Sequence, residues 1–317
     1  MTQQLAARFR RFAEVEAHGS SPLYEALAMG VAADPFALDF LEGLPEAKRQ
    51  PNLLFAAVRH LCGTPADWPT FRLMLQTNTA DVRAVMLERR TQTNEPGRCA
   101  TLLPVLSRLP QPLALLEVGA AAGLCLLPDR YGYEYGARRI ASSVADAPVF
   151  PCRANAATPI PQQALRVAWR LGLDLHPLDV TKPEHTAWLE TLVWPEHEAR
   201  LTRLRAALAV ARLGPPRVVQ GDLLQNFAAC VRQAPPAATL VVFHTAVLAY
   251  VADTALRKEF AHVVRRSGAV WVSNEMPGVF RSMTAPRGPR GAFLLSVDGV
   301  PQAWTDPHGG WIEWING

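Results

Sequence analysis

Acidic residues recur in this chain where short apolar runs come to an end. Leu113–Val118 is apolar except for Glu117 and leads directly into a small-residue turn, Gly119-Ala120-Ala121-Ala122-Gly123. Val167–Leu175 carries Asp174 near its end, Arg217–Gln220 runs into Gly221-Asp222, and Ala269–Ser273 runs into Asn274-Glu275. Thr239–His244 closes instead on a lone histidine. An apolar run followed by a tight glycine turn and then a helix makes the ligand-binding corner of an open α/β sheet. Glycine at 119 and 123 permits strained backbone angles and close approach of a ligand to the main chain. A carboxylate beside such a turn favours a cationic group and disfavours a pyrophosphate. The same turn also serves if it only packs a strand against a helix, and the residues leave both readings open.

Spacing narrows the chemistry. A nicotinamide fingerprint counted from Gly119 needs glycines at 121 and 124, where the chain has Ala121 and Leu124. A nicotinamide-dependent oxidoreductase is therefore the weaker alternative. The chain has no Gly-x-Ser-x-Gly elbow and no Walker A sequence, which disfavours a hydrolase of that type and a P-loop NTPase. In a nucleoside site, Asp174 after the second core strand can accept both ribose hydroxyls, and Asp222 after the third can accept an exocyclic amine. His244 is the first candidate for a general base, since imidazole titrates near neutrality. Its bland alternative is a buried histidine bonded to a neighbouring turn. Tyr131 and Glu275 are the other candidate bases. Arg90–Arg98 is dense in hydrogen-bonding side chains, and Thr91, Gln92, Asn94 and Arg98 are candidates to line a substrate crevice. The competing role is a cap, by Thr93 or Asn94, on a helix over Glu95–Leu109.

The elements that must position these groups follow from period. Residues 1–108 read as helices, with apolar positions at helical spacing (Leu5, Phe9, Phe12; Leu53, Leu54, Ala57, Val58, Leu61) and no strand alternation. From about residue 109, apolar runs alternate with helical stretches such as Arg200–Arg212 and Thr254–Arg266. An Asp298-Gly299 turn after Phe293–Val297 closes the chain with antiparallel edge strands. The expected fold is α/β, a Rossmann-like, doubly wound and mainly parallel sheet over 109–317, with an all-helical cap over 1–108.

Composition excludes several classes. The chain has 317 residues, 49% of them hydrophobic, enough for a sizeable core and too many for global disorder. The formal net charge is +4 and the basic residues are scattered, so there is no strong nucleic-acid signal. Ala237–Val251, the longest apolar stretch, is interrupted by His244 and two threonines and does not read as a membrane span. The five cysteines lie far apart without a Cys-x-x-Cys pair, so neither a metal site nor a disulfide framework is expected. Reduced thiols in a cytoplasmic protein are the simplest reading. An enzyme acting on a small molecule is expected, and a non-catalytic ligand-binding or scaffold protein on the same fold is the first alternative.

Glu117-x-Gly119-x-Ala121-x-Gly123 resembles the first motif of class I S-adenosylmethionine-dependent methyltransferases, with Ala121 in place of the middle glycine. Leu173-Asp174-Leu175 resembles the ribose motif of that family, Gly221-Asp222-Leu223 its adenine motif, and Thr239–Val251 its fourth-strand motif. The resemblance implies S-adenosylmethionine as cofactor, with Glu117, Gly119, Ala121 and Gly123 at its amino-acid end and Asp174 and Asp222 at its nucleoside end. The chain as a whole is similar to an uncharacterised bacterial family, a domain of unknown function, through Phe12–Leu27, Arg49–Phe55, Arg90–Arg98, Leu116–Tyr131, Trp169–Val180, Val242–Tyr250 and Pro307–Trp314. That second resemblance implies a family and no reaction.

Overall fold

The computed structural model describes residues 2–280, 283 and 287–315. The helices among them are α1 (Thr2–Phe12), α2 (Pro22–Ala33), α3 (Pro35–Glu42), α4 (Pro51–Cys62), α5 (Trp68–Thr77), α6 (Thr79–Glu88), α7 (Cys99–Leu106), α8 (Pro183–Thr191), α9 (Glu198–Arg212), α10 (Phe227–Val231) and α11 (Thr254–Arg266). The strands are β1 (Leu113–Val118), β2 (Gly132–Tyr135), β3 (Arg138–Ile140), β4 (Val149–Pro151), β5 (Arg153–Ala154) and β6 (Val167–Asp174). They continue as β7 (Val218–Gln220), β8 (Thr239–Thr245), β9 (Val270–Glu275), β10 (Phe293–Val297), β11 (Val300–Thr305) and β12 (Trp311–Trp314). Two compact units form, residues 2–93 with 183–202, and residues 94–182 with 203–315.

The first unit is all-helical. Ser21, Asp34 and Asp67 each accept a hydrogen bond from the N–H three residues on, and a proline lies in the first turn after each. These caps satisfy donors that have no partner within the helix. The apolar faces converge on Phe55, whose ring lies 4.8 to 6.2 Å from those of Phe9, Phe12, Tyr24 and Phe71. Trp188 of α8 is fully buried in the same core, which is why residues 183–202 belong to this unit. The boundary expected at residue 108 lies instead at 93, because residues 94–108 join the sheet unit.

The second unit is mixed α/β and is built on a mostly parallel sheet of nine strands, in the order β5-β12-β11-β10-β9-β8-β1-β6-β7. Its central part, β7-β6-β1-β8-β9, is parallel throughout. From β1 the chain moves outward through β6 and β7, then crosses to β8 and β9 on the other side, so the strand order reverses between β1 and β8. In open α/β sheets the crevice for ligands lies beyond the carboxyl ends of the strands at such a reversal. β10, β11 and β12 extend the sheet as antiparallel strands. Between β10 and β11, Asp298 and Gly299 both take positive φ, 51° and 84°, as the expected two-residue turn requires. A second, three-stranded sheet, β3-β2-β4, forms within the long connection after β1.

Alternation along the strands sorts the residues by face. Leu116, Val118, Leu171, Leu173, Val242 and Trp271 lie in one apolar cluster with Phe260 and Val264 of α11. Glu117 pairs in register with Gly172 and Phe243, so it points to the opposite face. The helix expected over Glu95–Leu109 starts later than its pattern suggests. Glu95, not Thr93 or Asn94, accepts the cap bond from Gly97 N–H and opens a short 3-10 turn, Pro96–Arg98, before α7 begins.

Candidate functional site

The turn after β1 has an unusual backbone. Gly119, Ala121 and Gly123 all take positive φ, 72°, 49° and 73°. For Ala121 this region is sterically costly, and two hydrogen bonds hold it there. Its N–H donates to Asp174 Oδ2 at 2.8 Å, and its C=O accepts from Leu178 N–H at 3.0 Å. Asp174 Oδ1 accepts a further backbone N–H from His176 at 2.7 Å. The strand-end acid of β6 therefore fastens the turn after β1. The glycines also meet packing demands. A Cβ on Gly119 would stand 2.4 Å from Val247 Cγ2, and one on Gly123 would stand 2.9 Å from Pro216 Cγ.

Glu117 lies beside this turn and is almost wholly buried, with Oε2 lacking any hydrogen-bond partner. Burial pushes its carboxyl well above the ordinary carboxylate range; Cys125 and Asp174 add to the rise, and the Arg98 guanidinium opposes it. Arg98 is buried on the same face. Its Nε donates to Pro307 O at 2.8 Å, and its Nη1 donates to Thr245 O at 3.0 Å and Thr245 Oγ1 at 3.2 Å, which leaves Nη2 outside these bonds. Asn94 Oδ1 accepts from Leu124 N–H at 2.8 Å, just past the glycine turn. The corner thus gathers Glu117, Asp174, Asn94 and Arg98 around one strained turn. Thr91 and Gln92 belong to the helical unit, where Thr91 Oγ1 donates to Gln50 Oε1 at 2.8 Å. Asp222 Oδ1 accepts the N–H groups of Leu224 at 2.8 Å and Gln225 at 3.1 Å, closing its own turn.

A second polar cluster lies on the other face. His244 is fully buried, and both ring nitrogens are engaged. Trp271 Nε1–H, which can only donate, gives its hydrogen bond to His244 Nε2 at 3.0 Å. The ring proton is thereby assigned to Nδ1, which donates to Glu275 Oε1 at 2.7 Å. Glu275 Oε1 also accepts from Val247 N–H at 2.9 Å and Leu248 N–H at 3.1 Å, while Oε2 is buried without a partner. In this arrangement the His244 ring is neutral and has no lone pair left for a substrate proton. Tyr131 is spoken for as well. Its hydroxyl donates to Leu124 O at 2.9 Å, and burial, together with the neighbouring Cys99 and Cys125, raises the phenol well above its usual range.

Three features of these clusters have no signal in the sequence: the Trp271 indole on His244, the hold of Arg98 on Thr245, and the use of Asp174 as a backbone clamp. Among the described residues no group of three or more His, Cys, Asp or Glu could hold a metal ion, and no helix is long and apolar enough to cross a membrane.

Fold and site together define a mixed α/β protein whose mostly parallel sheet carries buried acids at the ends of its strands. The chain belongs to the family described as uncharacterized protein conserved in bacteria (DUF2332), whose model matches residues 6–314. No curated protein and no solved structure matches it.

Proposed function

We propose that the sheet unit is a Rossmann-like, class I methyltransferase-type core that binds S-adenosylmethionine beyond the carboxyl end of β1 and transfers its methyl group to a small-molecule acceptor. The observation that carries this reading is Glu117: a carboxyl without a partner at Oε2, buried where the strand order reverses. An isolated buried acid is costly, and a bound cationic group offsets that cost. S-adenosylmethionine presents an ammonium and a sulfonium. Arg98 Nη2 and the amide of Asn94 are donors of the right kind for its carboxylate, and Asp222 Oδ2 is an acceptor for its exocyclic amine. The central strand order adds support, since the reversal between β1 and β8 is where open α/β sheets bind ligands, while the connection from β1 to β6 carries 3-10 turns and a small sheet in place of the helix expected after the glycine turn. For the amino-acid end to lie against Gly119, the Val247 side chain has to turn aside.

When bound, this cofactor supplies an electrophilic methyl group. The chain's own residues hold its charged end and orient the acceptor for in-line displacement. His244 has no proton-transfer role in this reading. Calorimetric titration with S-adenosylhomocysteine is the test. Saturable binding to the wild type, weakened roughly tenfold or more in Glu117→Gln, supports the proposal; no binding, or equal binding to both, removes it. A second reading, binding without turnover, is favoured by the engagement of both His244 nitrogens. It predicts that S-adenosylmethionine binds and is not consumed with any acceptor in a screen of small amines, phenols and carboxylates.

A further inference from the structure

The unpartnered oxygen of Glu275 belongs to a different part of the sheet from Glu117. Glu275 lines a pocket over the face opposite Glu117, together with Ser273, Val279, Phe280, Met283 and Leu294. The enclosed part has room for one water-sized group, about 10 Å³, and the empty space around it, about 210 Å³, includes open solvent at the mouth. Ser273 and Glu275 point to the same side of β9, and Leu294 of β10 stands opposite Glu275 in the register. Glu275 is held firmly in place, because its Oε1 accepts from His244 Nδ1–H and from the backbone of Val247 and Leu248. The histidine brings no compensating charge, since the Trp271 N–H occupies its second nitrogen. The nearby Arg265 guanidinium lies 5.1 Å over the Trp271 ring rather than on the carboxylate. What remains is a fixed acceptor, Oε2, buried without a donor on a residue that lines the same pocket as Phe280 and Met283.

We infer that this pocket binds a primary ammonium head group, with Glu275 Oε2 as its counter-charge and hydrogen-bond acceptor and Phe280 as its aromatic wall. Each part of the lining suits that chemistry. A carboxylate in apolar surroundings gains most from a cation that also donates hydrogen bonds. Aromatic faces attract ammonium groups through their quadrupole. Ser273 Oγ offers a second acceptor. The apolar lining of Val279, Met283 and Leu294 supplies no further ligands for a metal ion and suits the methylene next to an amine. A head group of this kind is small, and the open mouth leaves the rest of the molecule outside.

This site stands apart from the reading of Glu117, and S-adenosylhomocysteine does not enter its test. The full-length chain is titrated with n-butylammonium and, in parallel, with n-butanol, by ligand-observed NMR. Saturable binding of the amine, with the alcohol roughly tenfold weaker or more, is the expected result. Glu275→Gln keeps an acceptor at Oε1 for His244, Val247 and Leu248 and places a donor at the second position; it should lose the amine by a similar factor. Phe280→Leu leaves the carboxylate untouched and should weaken the amine a few-fold. Circular dichroism verifies that both variants are folded. Absence of saturable amine binding to the wild type overturns the inference. So does equal binding of amine and alcohol, or undiminished binding by Glu275→Gln; in those cases the pocket holds water only.

Discussion

Glu117 and Glu275 occupy similar stations and are treated in opposite ways. Both lie at or near the carboxyl ends of parallel strands, both are almost wholly buried, and both leave Oε2 without a partner. They face opposite sides of the sheet. Glu275 is anchored by three N–H donors on Oε1, two from the turn after β8 and one from His244. Glu117 sits beside the turn after β1 without any such anchor; that turn is fastened by Asp174 instead. The difference separates two uses of a buried acid. One organises a backbone turn and keeps a spare oxygen for a ligand. The other accepts no such anchoring bonds and is raised in pKa by its surroundings, which is the state of an acid that gains most from a bound cation.

The largest effect that follows from this contrast is on stability. Glu275→Ala leaves the Val247 and Leu248 N–H groups and His244 Nδ1–H without their acceptor. A loss of about 3 to 5 kcal/mol is expected in urea unfolding, since each buried donor left unpaired costs about 1 to 3 kcal/mol. Glu117→Gln, measured near pH 5, should change stability by about 1 kcal/mol or less. Comparable losses for the two variants would break the distinction between an anchoring acid and a free one.

A smaller effect, and a sharper one, lies in the pH dependence. The folded-state pKa of Glu117 is raised, with burial as the main cause, from an ordinary value of 4.5. Below that value both folded and unfolded chains hold the proton, and the group does not alter the balance. Above it the unfolded chain releases the proton while the folded chain keeps it. Stability therefore falls as pH rises, by up to about 1.4 kcal/mol per pH unit for one group, until Glu117 ionises in the folded state. Chemical unfolding of wild type and Glu117→Gln across this range should differ by that slope and show it only in the wild type. Parallel profiles would mean that Glu117 is not held protonated. The same reasoning makes binding of a cation at Glu117 release a proton, which calorimetry in buffers of different ionisation heat detects.

Much of the sheet unit was legible in the sequence, because its signals are local. Leu113–Val118, Val167–Leu175 and Thr239–His244 are apolar runs of strand length, and Asp298-Gly299 is a two-residue turn that few other sequences make so well. Glu117, Asp174 and Glu275 were visible as acids at run ends. Their partners were not, since those come from elsewhere in the chain: Ala121 is 53 residues from Asp174, and Trp271 is 27 residues from His244. No periodicity encodes such pairings. For the same reason α8 reads as an element of the alternating region, although Trp188 places it in the helical core. His244 drew notice as a lone titratable group in an apolar strand, and its burial with both nitrogens bonded is the bland alternative that this pattern also allowed.

The two acids are joined by one residue, and the smallest predicted effect lies there. Val247 offers its backbone N–H to Glu275 Oε1 and rests its side chain on Gly119, the glycine beside Glu117. The anchored acid thus fixes the turn whose valine covers the open corner. Val247→Ala keeps the backbone bond and removes two methyl groups from above Gly119. The expected cost in stability is modest, about 1 kcal/mol, since Val247 is only partly buried. If a ligand's charged end has to reach Gly119, displacing the valine is part of the work of binding, and the alanine variant should bind S-adenosylhomocysteine a few-fold more tightly than the wild type while n-butylammonium binding at Glu275 is unchanged. Calorimetry and the NMR titration on the same variant measure both. Tighter binding at both sites would mean that the valine loosens the whole turn rather than covering one corner. Unchanged binding of S-adenosylhomocysteine, in a wild type that does bind it, would place the ligand's charged end away from Gly119 and leave Glu117 to act from the side of Arg98.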